Sequence, residues 1–315
     1  MANIGYIQLN RICNQNCLFC SNPDTGATLS FEDFKEKVDD FIKRDYEGVI
    51  LTGGEPTLID YLPQAIEYCD KKNINCRLIT NGQVTSDYNY LANLVNKGLQ
   101  LMHVSLYSYK PKIQNYLSQN KNSFSNIIKT LKNARRLNLA LNINTVINKY
   151  NANHLDKNVY YIIKRFPEIN HFVFNNLDPY MNRASKNIYT IPKLIDFKIS
   201  LNKAMNLLDN NKKTFRVERV PLCFMGDFPE TSTETRKIIK DEERIVYFLD
   251  EKGLVRQTKK YFYHKKGEIC KVCSLVSICA GLYALGEYFD EKELIAFHNK
   301  SLKKIIINKI KYGSV

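Results

Sequence analysis

The sequence predicts an α/β protein in which a parallel sheet carries helices packed outside it. Three observations predict it. Short apolar runs alternate with longer amphipathic runs up to about residue 177, the pattern of repeated strand–helix–strand units. Six of the short runs end in polar residues, and ligands gather at the C-terminal ends of strands in such sheets and barrels. From about residue 215 the rhythm changes to short strand-like runs, which marks a smaller second module.

Taken in order, the expected strands are Tyr6–Asn10, Gly48–Thr52, Asn75–Thr80, Leu101–Leu106, Leu141–Ile147 and His171–Asn175. The expected helices between them are Phe31–Arg44, Tyr61–Lys71, Tyr88–Lys97, Ser123–Leu137 and Asn153–Phe166. Ser30, followed by Glu32 and Asp33, gives the first helix a capping hydroxyl and acids in its first turn. Connections of this kind are right-handed. The polar tips are the cysteine loop after the first strand, Thr52-Gly53-Gly54-Glu55-Pro56, Thr80-Asn81-Gly82, Ser105, the group Asn142, Asn144, Thr145 and Asn148, and Asn175-Asn176. Each alone could be turn chemistry; six together point to a shared site. Residues 178–191 read as loop and Ile195–Leu208 as a helix. Thr214–Val220, Arg244–Leu249 and Leu254–Gln257 read as short strands around a Glu251-Lys252-Gly253 turn. Glu291–Lys311 reads as one or two basic amphipathic helices that dock on the core with their lysines in water. The division is 1–190 and 191–315.

The chain of 315 residues, 44% hydrophobic and 25% charged, has the composition of an ordinary globular protein. No run approaches the roughly 20 apolar residues of a membrane span, and the N-terminus lacks the basic start and apolar core of a signal peptide. The formal net charge is +14. Such an excess can attract nucleic acid, but the lysines are scattered and form no compact basic block or Arg-Gly repeat. The expectation is a cytoplasmic protein with no nucleic-acid or membrane partner, and a cysteine-metal nucleic-acid binder is the rival of a different class.

Nine cysteines without a secretory signal argue against a disulfide framework. They fall into groups: Cys13, Cys17 and Cys20; Cys69 and Cys76; Cys223; and Cys270, Cys273 and Cys279. Three soft thiolates at C-x3-C-x2-C on a short loop suit three irons of a [4Fe–4S] cluster and leave the fourth iron open. Zinc is the alternative, but structural zinc takes four closed ligands, and no fourth Cys or His lies near the loop. Cys69 and Cys76 read as plain buried residues. His103, His154, His171, His264 and His298 show no metal spacing and read as structural. There is no Walker loop, Ser-His-Asp pattern or H-E-x-x-H motif.

Cys13-x3-Cys17-x2-Cys20, with Phe19 before the last cysteine and Gly53-Gly54-Glu55-Pro56 after the second strand, resembles the radical S-adenosylmethionine (SAM) superfamily. The resemblance implies a partial (β/α)6 TIM-like barrel. It also implies a SAM-binding [4Fe–4S] cluster on Cys13, Cys17 and Cys20. The Gly53-Gly54-Glu55 strip would receive the SAM ammonium, Phe19 would lie near the adenine, and Asn81, Ser105 and Asn144 would touch the ribose or the methionyl carboxylate. Local turn capping is the other reading of Asn81 and Ser105. The implied chemistry is reductive SAM cleavage to a 5′-deoxyadenosyl radical, which takes a hydrogen atom from an unactivated C–H bond. The protein's part is to hold the target carbon and exclude water.

Cys270-x2-Cys273-x5-Cys279, followed by Ala280-Gly281, resembles the end of the C-terminal SPASM/twitch extension, and Cys223 with the Gly253 hairpin resembles its start. Gln257 stands where a hairpin cysteine would be expected, and no cysteine follows Cys279. The expectation is a small α+β twitch-like module with one auxiliary [4Fe–4S] cluster on Cys270, Cys273 and Cys279, with zinc as the alternative. Cys223 has two readings, fourth auxiliary ligand or catalytic thiol. The chain as a whole resembles the radical SAM peptide epimerases of the epipeptide type. In that reading a ribosomally made precursor peptide, held by barrel mouth and tail without a separate leader-binding domain, is epimerised from L to D, and Cys223 returns the hydrogen. A cellular one-electron reductant is then a partner. Thioether or carbon–carbon crosslinking of a peptide is the alternative. Neither the peptide nor the oligomeric state is legible.

Overall fold

The computed structural model describes residues 4–22, 24–242, 245–250, 253–257 and 264–313. Strands β1 (Ile4–Asn10), β2 (Gly48–Gly53), β3 (Asn75–Thr80), β4 (Leu101–Ser105), β5 (Ala140–Ile147) and β6 (His171–Asn176) match the six expected runs to within two residues at either end. Helices α1 (Phe31–Lys43), α2 (Leu62–Lys71), α3 (Tyr88–Asn96), α4 (Pro111–Ser118), α5 (Ser123–Arg136) and α6 (Leu155–Arg165) lie between them. The one missed is α4. It is short, opens on Pro111, and its buried residues include the polar Gln114 and Ser118, so it lacks the apolar stripe that identifies a helix. Residues 178–191, expected as loop, contain α7 (Asn182–Lys186) and a 3-10 turn over Ile188–Thr190.

The sheet does not stop at six strands. After α8 (Leu194–Asn210), β7 (Thr214–Glu218) pairs parallel with β6. After α9 (Thr233–Lys240), β8 (Val246–Asp250) pairs parallel with β1, and β9 (Gly253–Gln257) runs antiparallel to β8. The order is β7-β6-β5-β4-β3-β2-β1-β8-β9. The strands expected in a second module therefore belong to the barrel sheet. The physical reason is α8, a 17-residue helix between β6 and β7, long enough for a right-handed crossover between parallel neighbours. The turn expected at Glu251-Lys252-Gly253 falls at residues 251–252 outside the described ones, as does the side chain of Gln257. The tail contains the two-residue pair β10 (His264–Lys265) with β11 (Leu282–Tyr283), and α10 (Lys300–Tyr312).

The fold is the partial TIM barrel expected, a curled parallel sheet with helices outside. Strand residues alternate between two environments. On β3, Cys76, Leu78 and Thr80 are buried under the helices while Asn75, Arg77 and Ile79 are half-buried on the inner face. The core between sheet and helices is apolar, with Phe34, Phe41, Phe172, Phe174 and Phe197 fully buried. Cys69 and Cys76 lie in it, as expected. On α10, Ile306 and Ile310 are buried and Lys309 reaches Glu230 at 3.0 Å, so this helix does dock with lysines outward. Among the described residues no helix is long and apolar enough to cross a membrane.

The Ser30 cap is formed: its Oγ accepts from the Asp33 N–H at 3.0 Å. Ser30→Ala should lower stability by about 1 kcal/mol, read as a shifted urea midpoint with unchanged slope.

Candidate active site

The site begins where β1 meets β2. The two strands pair in parallel up to a register shift between Gln8 and Asn10, where Asn10 faces Gly53. The Gly54 N–H donates to the Asn10 backbone oxygen at 2.8 Å and to its Oδ1 at 3.0 Å, and the Glu55 N–H donates to the Ile12 oxygen at 2.7 Å. A Cβ on Gly54 would stand 2.2 Å from the Ile12 oxygen, and one on Gly53, at φ +155°, 2.6 Å from the Asn10 oxygen. Both glycines are thus needed for the close approach of two backbone segments.

Glu55 is almost fully buried. Its Oε1 accepts from the Thr57 N–H and Oγ1 and from Thr80 Oγ1, at 3.2, 2.6 and 2.7 Å, and its Oε2 accepts from the Asn81 N–H at 2.7 Å. A carboxylate has about four acceptor sites, so this one chiefly ties the end of β2 to the end of β3. Burial raises its pKa against the pull of these donors.

The loop Cys13–Cys20 is held from three sides. The β2 end holds Asn10 and Ile12. On α4, the Ser118 and Leu117 oxygens accept from Asn16 N–H at 3.2 Å and Leu18 N–H at 2.9 Å. From α7, Arg183 Nε donates to the Cys17 oxygen at 3.0 Å and Ala184 N–H to the Cys20 oxygen at 3.1 Å, and the following Asn187 donates to the Leu18 oxygen at 2.9 Å. Gln114 joins these supports. Its Oε1 accepts from Tyr107 N–H at 2.8 Å, and its Nε2 donates at 3.0 Å to Ser123 Oγ, which also accepts from Gln15 at 3.1 Å. Gln114, Arg183 and Asn187 were missed in the sequence, where nothing but their polar character sets them apart.

Cys17 is buried, and Cys13 and Cys20 half-buried. Burial pushes the Cys13 thiol up to about 11, with Glu55 and Cys20 adding repulsion. Cys17 is pushed up by burial and then by Cys20 and Cys13. Three thiols in one poorly solvated niche repel one another as thiolates, and a cationic iron centre removes that cost. Asn81 Nδ2 reaches Cys13 Sγ at 3.7 Å and Asn14 Oδ1 at 2.7 Å. Phe19 is buried with its ring edge-on to Tyr107, centroids 4.7 Å apart. Ser105 stands in register with Asn144. Asn144 Oδ1 accepts from Asn175 at 2.6 Å. The structure therefore gathers Cys13, Cys17, Cys20, Phe19, Gly53, Gly54, Glu55 and Asn81 around one loop, and Tyr107, two residues past Ser105, packs on Phe19.

Asn144 also lines a cavity of about 560 Å³ inside the curled sheet. Two histidines read as structural, His103 and His171, stand on its wall with Arg77 and Arg216. Burial and neighbouring positive groups hold His103 down at about 3 and His171 at about 4. His154, buried against Ser108 at 3.0 Å, is held at about 4.

The second cysteine group converges elsewhere. Cys223, five residues past the C-terminal end of β7, lines one small apolar pocket with Cys270, Cys273 and Cys279, walled by Leu222, Leu275 and Phe297 among others. Backbone N–H groups point at sulfur: Gly281 to Cys279 and Phe297 to Cys273, both at 3.4 Å. Such donors stabilise thiolates and tune iron–sulfur clusters, so the donor set fits a cluster. Burial pushes the Cys223 thiol up to about 11. Among the described residues no three His, Cys, Asp or Glu side chains meet at a point that could hold a single metal ion.

Residues 7–159, from β1 into α6, match the radical SAM superfamily. A domain of this family implies a [4Fe–4S] cluster and SAM. GTP 3′,8-cyclase of Aquifex aeolicus is 31% identical over 156 residues, 45% of this chain and 47% of the cyclase. Fe-coproporphyrin III synthase of Methanosarcina barkeri is 26% identical over 46% of this chain and 37% of the synthase. The chain thus spans about half or less of the length of these curated relatives. Among solved structures, native anSMEcpe with bound AdoMet and Cp18Cys peptide has TM-score 0.65 at 17% identity, over 98% of this chain and 96% of that one. Streptococcus suis SuiB bound to S-adenosylmethionine has TM-score 0.66 at 17% identity, over 90% and 73%. At this identity the likeness is one of fold.

Gly54→Ala should displace the cysteine loop. Anaerobic iron reconstitution should then yield roughly half the native iron, with the tail group still loaded. His103, His154 and His171 have depressed folded pKa values, so their stabilising effect is present above about pH 6.5 and is lost as pH falls towards 4. Each should contribute a slope of up to about 1.4 kcal/mol per pH unit in that window, read from urea unfolding between pH 7 and 5.

Proposed function

We propose that the protein is a radical SAM enzyme that modifies a ribosomally made peptide, and that the modification is L-to-D epimerisation. The observation that carries this reading is the pairing of a three-cysteine loop at the end of β1 with a tail that sets three more cysteines against Cys223. Nearly the whole chain, tail included, shares its fold with anSMEcpe carrying a bound peptide. SuiB bound to its precursor peptide SuiA is likewise matched over 90% of this chain.

In this reading Cys13, Cys17 and Cys20 hold a [4Fe–4S] cluster. SAM's ammonium is received near the end of β2 by backbone oxygens and by the negative charge of Glu55, beside Asn81. The bound cluster and SAM supply removal of a hydrogen atom from an unactivated C–H bond. Phe19, Tyr107 and Ser105 wall the site and exclude water, and Asn144 orients polar groups from the lumen side. Cys223 is carried by the loop leaving β7, on the end of the barrel where the first cysteine loop stands. Its S–H gives a hydrogen atom to the opposite face of the Cα radical and inverts it. The sulfur radical left on Cys223 takes one electron and one proton, the electron coming from a cellular one-electron reductant. Cys270, Cys273 and Cys279 hold one auxiliary [4Fe–4S] cluster.

A second reading has its own observation. Cys223 shares one pocket with the three tail cysteines, as a fourth ligand would, and closing that set suits thioether or carbon–carbon crosslinking. Cys223→Ala separates the two. Epimerisation predicts a variant with native iron and sulfide that cleaves SAM but forms no D-residue in the co-expressed peptide. In heavy water, the native enzyme should then place one deuterium at Cα. Loss of tail iron in Cys223→Ala, with a peptide product two hydrogens lighter and unlabelled, sinks the epimerase reading in favour of crosslinking.

A further inference from the structure

The lumen of the barrel carries a feature that the cysteine chemistry does not use. Arg77, on the inner face of β3, lines the 560 Å³ cavity with its guanidinium half-buried. Its Nε donates to Asn75 Oδ1 at 2.9 Å. It makes no ion pair among the described residues. Beside it the buried Nε2 of His103 has no hydrogen-bond partner among the described residues. His171 engages Thr214 Oγ1 at 2.7 Å through Nδ1, which leaves Nε2 for a ligand. Arg216, Arg236 and Lys237, each with partners of its own, also line the described wall, beside two carboxylates, Glu218 and Glu242. Neither carboxylate lies on β3 or β4: Glu218 ends β7 and Glu242 follows α9. Burial holds the Arg77 pKa down while Tyr6 and Glu47 pull it up, and a half-buried guanidinium with no contact ion pair gains from a carboxylate that completes it.

We propose that this lumen is the specificity site for an acidic residue of the peptide substrate, whose carboxylate pairs with Arg77 and accepts from His103. The inference rests on the peptide-modifying reading above and adds the substrate's required charge. It also sets a spacing. Arg77 stands four residues before Asn81, the residue that touches Cys13. At about 3.3 Å per strand residue that is roughly 13 Å, which an extended peptide spans in about four residues. The acidic residue should therefore lie about four positions from the residue modified. Charge-assisted pairing with a planar guanidinium discriminates a carboxylate from its amide isostere.

The test uses the anaerobically reconstituted full chain and three probes: two libraries of acetylated, amidated hexapeptides, with Glu or with Gln at one fixed position, and GTP. Bound peptides are counted by mass spectrometry. The expected result is about tenfold preference for the Glu library. Arg77→Gln should bring the ratio to about one while Gln-library binding stays native, which also reports intact folding, and Arg77→Lys should keep part of the preference. On the unaltered protein, the Glu library should protect Arg77 from phenylglyoxal, and the Gln library should not. Equal binding of both libraries without Arg77 protection overturns the acidic-residue proposal and leaves the peptide reading standing. Arg77 protection by GTP, with neither library bound, overturns both and makes the lumen a nucleotide site.

Discussion

The contact on which the rest of the site depends is the close approach of Gly53 and Gly54 to Asn10 and Ile12. A parallel strand pair normally splays into separate loops at its C-terminal end. Here two further N–H groups, from Gly54 and Glu55, continue the hydrogen bonding into the cysteine loop, and the 2.2 Å separation from an imagined Gly54 Cβ admits no side chain. Three consequences follow. Asn10 is locked by both ends, its Nδ2 donating to the Glu55 oxygen at 2.8 Å. Glu55 is turned inward to the β3 end, which brings Asn81 to Cys13. The Cys13 and Cys17 thiols are left in a niche where burial and neighbouring groups raise their pKa values.

The supports of that loop explain why a domain of this class needs more than its motifs. α4 offers carbonyl groups near its C-terminal end to Asn16 and Leu18, while α7 and Asn187 cover the carbonyl side of Cys17, Leu18 and Cys20. Gln114 couples α4 to the start of α5 and to the backbone after β4. Gln114, Gln15 and Ser123 are buried, so losing Gln114 leaves buried partners unsatisfied. Cofactor geometry is therefore held by a network that extends from β1 to residue 187, most of the length of the barrel.

Much of the fold was legible because parallel strands buried on one face and helices packed on the other leave strong apolar rhythms. Strands β1 to β6 and five helices follow them closely. The rhythm failed where the crossover was interrupted. Residues 177–193 separate β6 from α8 with irregular chain and the short α7, and this hid the fact that β7 continues the sheet. It also hid β8, whose partner is the first strand of the chain, a contact that no local pattern records. In the site, cysteine spacing located both thiol groups. The sequence marked the glycines as part of the site, while the packing of Asn10 and Ile12 against them needed the folded chain to be seen. Gln114 and Arg77 had no signal, since a buried polar residue looks like a surface one until its partners are known. The convergence of Cys223 on Cys270, Cys273 and Cys279 depends on the long-range return of the tail to the β7 loop, and sequence spacing alone left it open.

We propose that two cysteine groups of one chain hold two separate iron–sulfur centres and that only the first works with SAM. The most direct measurement is iron and sulfide content, with electron paramagnetic resonance of the reduced protein before and after SAM. It compares the native chain with a Cys13→Ala, Cys17→Ala, Cys20→Ala triple variant. About eight irons are expected per native chain and about four in the triple variant. SAM should perturb the native spectrum, and the triple variant should show no SAM response and form no 5′-deoxyadenosine. A triple variant that keeps the native iron content, or whose spectrum still responds to SAM, would contradict it.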